Sequence, residues 1–316
     1  MASFIPNRTP LVDIPKDELT ALIKSFTPER LANFIDVTDL KADTQEPKMK
    51  KMAEWAITYN CASICVNPVE AADILPVLLK GSNVKNCYVI DFPLGKLDIE
   101  SKAQLTAHVV KKNRELRGEG KGKIELDMVI NVGRFKRDHK YALEEINAVC
   151  DAADGELVKV IIRSSELTEE ELWIVSEMFA LSKAEFIKNS TGMDAFGALP
   201  DHIWIMRQVV GNDRGVKAAG GISDAITAMR LMYAGANEKS LQTPEKFRLG
   251  SSGPLNIIST MSWLLYNTEG WVNAGIIPCI ICPYHHTSKH RVDLREYCNK
   301  RCRECKYKEY RIHKDF

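Results

Sequence analysis

The sequence carries almost no net charge. Its 43 Lys and Arg against 42 Asp and Glu leave +1 at neutral pH, which argues against a chain built as a whole to bind nucleic acid or an acidic surface. Long apolar runs are missing too: nowhere do about 18 apolar residues follow one another, the length a bilayer-spanning helix needs. The opening residues MASFIPNRTP lack a basic stretch followed by an apolar one, so no secretory leader and no membrane partner are expected, and the expected compartment is the cytoplasm. Cysteine is scarce through the first 278 residues, where Cys61, Cys65, Cys87 and Cys150 stand far apart. Scattered thiols in a reducing compartment do not make a disulfide framework. What remains is the composition of an ordinary globular protein, 45% hydrophobic and 27% charged, with material for a sizeable core.

What is present is concentrated. Residues 283–316 hold ten Lys and Arg against five acids, leaving the rest of the chain at about −4. Cys279-x2-Cys282 and Cys302-x2-Cys305 are separated by nineteen residues, which is the spacing of two-knuckle zinc sites. A structural Zn²⁺ on these four thiolates would supply the folding free energy that a short basic segment lacks. Cys298 is a fifth candidate, and Cys298-x3-Cys302-x2-Cys305 also has the spacing of an iron–sulfur site. Free thiols with His285, His286 and His290 as bystanders are the plain alternative. Either way the tail is expected to have a structural or partner-binding role.

Before that tail the pattern is regular. A helix is expected near Asp13, with Asp13 as cap, Pro15 in the first turn, and Leu19, Leu22, Ile23 and Phe26 on one face. Eight short apolar runs follow, at 33–36, 62–66, 87–91, 124–131, 157–162, 186–188, 215–220 and 247–250. They are spaced as strand, loop and crossover helix require. One of the helices between them shows an apolar stripe of Met49, Met52, Ala53, Ala56 and Ile57. Eight such units predict an α/β fold, a (β/α)8 TIM barrel over 31–270 with a helical extension over 1–30 and a Cys/His-rich tail over 271–316. An open doubly wound sheet is the alternative.

Strands covered on both faces should read as nearly continuous Val, Ile and Leu. Several of these end instead in an ionisable group: Asp36, Asp127, Lys159, Lys188 and Lys217. Any one of them could be a structural ion pair or a solvated rim residue. In a barrel, however, all five project toward one mouth. Neighbouring ammonium groups lower each other's pKa, and a neutral amine is what attack on a carbonyl requires. Lys188, in FIKNSTG, stands at a strand end followed by small residues and is the expected Schiff-base nucleophile. Lys217, in GVKAAGG, is then the tuning neighbour, and Asp127 the proton carrier. Gly220, Gly221 and the run Gly250–Ser251–Ser252–Gly253 fall after strands seven and eight, where barrels often cradle phosphate on backbone N–H groups.

With these residues, 34–255 resembles the deoxyribose-phosphate aldolase family. The resemblance rests on FIDVTDL, ASICVNP, FPLG, ELDMVIN, KVII, FIKNSTG, KAAGGI and RLGSSG, in that order. It implies a TIM barrel that cleaves 2-deoxy-D-ribose 5-phosphate to acetaldehyde and D-glyceraldehyde 3-phosphate, with no cofactor for catalysis. Lys188 matches the family's Schiff-base lysine, and Lys217 and Asp127 its proton relay. Asp36, Thr38, Cys65 and Lys159 match further pocket positions, and Thr191 and Gly192 match substrate contacts. Cys65 could equally be a core residue, as Cys61 is expected to be. The implied partners are a small-molecule sugar phosphate and aldehydes, not nucleic acid, with a homodimer as the assembly considered.

The chain departs from the family at Met193, Ala218, Ser223 and Gly253, several of them near the expected phosphate site, and at Arg163 in RSSEL. These departures leave two further readings open. One is the same chemistry on an unphosphorylated or carboxylated deoxy sugar, and the other an inactive barrel that serves as scaffold for the tail.

Overall fold

The structure, a computed structural model, describes residues 14–274. Eight strands form its centre: β1 (Ile35–Thr38), β2 (Ser63–Val66), β3 (Lys85–Ile90), β4 (Ile124–Val129), β5 (Leu157–Ile161), β6 (Phe186–Lys188), β7 (Gly215–Ala219) and β8 (Phe247–Ser251). Each pairs in parallel with the next, and β8 returns to β1, closing the barrel. That closure excludes the doubly wound alternative. Two helices precede it, α1 (Lys16–Lys24) and α2 (Pro28–Ala32). The outer ring is α3 (Glu46–Thr58), α4 (Leu75–Leu78), α5 (Ile99–Arg117), α6 (Val132–Arg137), α7 (His139–Ala152), α8 (Glu169–Ala180), α9 (Pro200–Val210), α10 (Ala225–Ala236) and α11 (Pro254–Ala274). Among the described residues no helix is long and apolar enough to cross a membrane.

Period-two alternation decides what each strand shows to each side. Ile35, Val37, Ile64, Leu126, Met128, Val158, Val160, Ile187, Val216 and Leu249 join one hydrophobic cluster with the helices. The residues between them, Asp36, Asp127, Lys159, Lys188 and Lys217, are just as buried but stay out of that cluster. The apolar face of each strand therefore makes the core, and the other face lines a polar lumen.

Local signals fix the helices. The Asp98 carboxylate accepts from Ser101 N–H at 2.8 Å to start α5, and Gly118, left-handed at φ 69°, ends it. Thr168 and Glu171 form a reciprocal capping box on α8.

Two readings need correction. Pro15 is the residue before α1 rather than part of its first turn, and Asp13 lies outside the described residues. Ile57, 45% exposed, does not belong to the stripe of Met49, Met52, Ala53 and Ala56, because helical periodicity turns it about a quarter of a turn off the line that those four share. The tail cysteines Cys279, Cys282, Cys298, Cys302 and Cys305 also lie outside the described residues.

Candidate active site

Three strands bring the expected residues to one point. Lys188 and Lys217 are register partners on β6 and β7, and Asp127 reaches across the lumen from β4. Lys188 Nζ and Lys217 Nζ each donate to Asp127 Oδ2 at 2.7 Å. Lys159, the register partner of Asp127 on β5, donates to its other oxygen at 3.1 Å. Asp36 stands 2.5 Å from Lys217 Nζ. Lys188 is 2% exposed and the other four fully buried.

The network extends deeper than the sequence reading. Arg248 donates to Asp36 at 2.8 Å and to Glu125 at 2.9 Å, and Lys159 to Glu125 at 2.6 Å. Neither Glu125 nor Arg248 was among the expected site residues. The signal for both was available, since Glu125 lies two positions before Asp127 and Arg248 two before Gly250, on the same lumen-facing parity.

Charge balance organises the site. Four cations (Lys159, Lys188, Lys217, Arg248) interleave with three carboxylates (Asp36, Glu125, Asp127). Burial alone would raise the Asp127 carboxyl, but Lys159, Lys188 and Lys217 outweigh it and hold its pKa well below the usual range. Asp36 is likewise pulled down by Lys217, Lys159 and Arg248 against its burial. Burial opposes the Lys217 ammonium, yet Asp127 and Asp36 push its pKa well above the ordinary lysine value. This corrects the expectation of a depressed Lys217: the Asp127 oxygen it shares with Lys188 stands between the two side chains. Losing one proton from one lysine would bring the seven groups to neutrality.

The mouth is built by the segment after β6. Gly192, at φ 81°, turns the chain, while Ser190 Oγ and Thr191 N–H donate to Asp194 at 3.1 and 3.0 Å. Arg163 donates to Asp194 from Nε and from its terminal nitrogen, both at 2.8 Å. Its charge is thus engaged within the protein. Met193 projects outward, 55% exposed.

Next to this turn lie the glycines of the expected phosphate cradle. Gly220 and Gly221 have φ of 90° and 76°, and a Cβ on Gly220 would come within 2.7 Å of Gly197 Cα. That close approach locks the β6–α9 and β7–α10 loops together. A Cβ on Gly250 would meet Ala219 Cβ at 3.2 Å and Lys217 Cε at 3.4 Å, so the bare backbone lets β8 pack closely against β7 beside that lysine. Ser251 Oγ donates to Ile222 O at 2.7 Å and accepts from Gly253 N–H, tying β8 to the β7 loop, while Ser252 is exposed. Thr38 is half-buried and donates to the Asp36 carbonyl. Cys65 is buried 3.8 Å from Asp127 Oδ2, in a small cluster with Cys87, which the sequence reading left aside.

No protein-family model matches the chain. A deoxyribose-phosphate aldolase of Clostridium perfringens is 42% identical over 210 residues, 66% of this chain and 89% of the relative. Deoxyribose-phosphate aldolase 1 of Bacillus licheniformis is 40% identical over 236 residues, 74% of this chain and 97% of the relative. The solved deoxyribose phosphate aldolase of Aeropyrum pernix superposes with a TM-score of 0.67 over 79% of this chain and all of that one; at 24% identity it speaks to the fold. Identity at this level over nearly the full length of such relatives makes the chain a member of the deoxyribose-phosphate aldolase family.

Proposed function

We propose that the chain is a class I aldolase that reversibly cleaves 2-deoxy-D-ribose 5-phosphate to acetaldehyde and D-glyceraldehyde 3-phosphate through an imine on Lys188. The observation that carries this is the oxygen of Asp127 shared by Lys188 and Lys217 at 2.7 Å each. A neutral Lys188 amine attacks the aldehyde carbon of the open-chain sugar. Asp127, with Lys217 behind it, carries the proton that lets the carbinolamine lose water. The iminium draws electrons from the C2–C3 bond as the C3 hydroxyl gives up its proton, releasing glyceraldehyde 3-phosphate and leaving an enamine. Protonation of the enamine carbon and hydrolysis then free acetaldehyde and restore the amine. The imine is itself the electron sink, so these steps ask for no metal or organic cofactor.

Asp36, Glu125, Lys159 and Arg248 hold this proton circuit in place. Thr38, Cys65, Thr191 and Gly192 are assigned to the substrate chamber, and Gly220, Gly221, Gly250, Ser251 and Ser252 to its phosphate end. Exposed Met193 at the mouth favours, as a second reading, a larger tolerance for unphosphorylated deoxy sugars. The Arg163–Asp194 pairing speaks against a carboxylated substrate, and a paired lysine network of this kind speaks against an inactive scaffold. Incubation with 2-deoxy-D-ribose 5-phosphate tests the assignment: acetaldehyde and glyceraldehyde 3-phosphate must appear in equal amounts, and release of neither overturns it. For the tail, the four-cysteine zinc reading rests on spacing alone. Elemental analysis below about 0.2 equivalents of zinc and iron per chain would end it.

A further inference from the structure

Cys65 and Cys87 are register partners on β2 and β3, so their side chains leave neighbouring strands on the same lumen face. Cys87 Sγ lies 3.2 Å from Asp127 Oδ1, and Cys65 Sγ 3.8 Å from Oδ2. The two sulfurs and a carboxylate oxygen fall within 4.8 Å of one another, the one such trio of metal-type donors among the described residues. Both thiols are free and buried, and Lys159 Nζ stands 3.4 Å from Cys87 Sγ. The mechanism makes no use of Cys87.

Spacing decides what these thiols can do together. An ion with metal–sulfur bonds of about 2.3 Å at tetrahedral angles spans sulfurs about 3.8 Å apart. A bridging ion therefore fits two sulfurs and a carboxylate oxygen that all fall within 4.8 Å of one another. Charge selects the ion. A soft divalent cation displaces the two thiol protons to solvent and is neutralised by the two thiolates, so the balance of the lumen is unchanged. A hard cation leaves the thiols protonated and adds its full charge to a lumen that already holds four cations against three carboxylates.

We propose that Cys65, Cys87 and Asp127 form a three-donor site for one soft divalent ion of the zinc or cadmium kind, and that its occupancy silences the enzyme by drawing Asp127 off Lys188 and Lys217. The silencing rests on the reading of Asp127 as proton carrier; the binding does not. The test is titration of the reduced full chain with Cd²⁺, following thiolate-to-cadmium absorbance and retro-aldol activity together, beside Cys87→Ala and Cys87→Ser. Each variant's own metal-free activity is its baseline. Subtracting variant from wild type removes any uptake by the cysteines of residues 279–305. Wild type should take up one equivalent more than either variant and lose activity as it does so. In the variants inhibition should need at least about 10-fold more Cd²⁺, the scale of losing one metal-holding group. Cd²⁺ should also raise the unfolding temperature of wild type more than that of the variants, and Mg²⁺ should change nothing. Equal uptake and equal inhibition in all three proteins would overturn the site. The extra equivalent bound with activity intact would overturn the silencing, and with it the role of Asp127, while the site would stand.

Discussion

Lys188 and Lys217 face each other in register on adjacent strands, yet their amines meet on one oxygen of a third strand, Asp127 Oδ2. Two ammonium groups sharing an anion are held close without the full cost of their repulsion. A proton can pass among three groups that are already hydrogen-bonded.

Lys217 and Asp127 should therefore affect turnover more than binding. Lys217→Leu and Asp127→Leu are each expected to lower kcat at least about 10²-fold, the scale of general acid–base contributions. KM should change far less. Steady-state retro-aldol kinetics decide, and near-normal turnover in either variant removes that residue from the circuit.

The same network should show in acid. Asp36 is held well below its ordinary pKa by Lys217, Lys159 and Arg248 despite its burial. A carboxylate with a depressed folded-state pKa stabilises the fold above its unfolded value of about 3.9 and loses that contribution as pH falls below it. Urea unfolding should thus show Asp36→Asn most deficient relative to wild type near neutral pH. The gap should narrow below about pH 4. A gap of constant size down to pH 3 would contradict the pairing.

Arg163 and Asp194 should behave as a clamp on the mouth. Charge-assisted hydrogen bonds of this kind contribute about 1.5–3 kcal/mol. A double-mutant cycle of Arg163→Ala and Asp194→Ala in unfolding experiments should return a coupling above about 1 kcal/mol. Additive single effects would show that the two act independently. If Arg163 instead received a substrate carboxylate, Arg163→Ala would selectively impair carboxylated deoxy sugars.

Met193, exposed beside Gly192 at the mouth, offers no charge to a phosphate. Met193→Lys should raise the kcat/KM preference for the 5-phosphate over free deoxyribose by about 10-fold or more, the equivalent of one charge-assisted contact. An unchanged ratio would remove position 193 from phosphate recognition.

The barrel was legible because its signal is local. All eight apolar runs became strands, and the five charged strand residues Asp36, Asp127, Lys159, Lys188 and Lys217 converge. What escaped the sequence reading depends on contacts between distant elements. Glu125 and Arg248 are each the second residue of their strands, at the end opposite the mouth, and these two partners are 123 positions apart in the chain. Arg163 stood out only as a departure from the family until the fold brought Asp194, 31 positions on, against it. Cys87 was one of four scattered cysteines until register put it beside Cys65. The Gly197–Gly220 approach likewise has no counterpart in local pattern.

The central claim is that Lys188 carries the covalent intermediate. Borohydride reduction in the presence of acetaldehyde, followed by peptide mass mapping, tests it most directly. The account predicts a reduced two-carbon adduct on Lys188 with concurrent loss of activity. An adduct on Lys217, or none on either lysine, would contradict it.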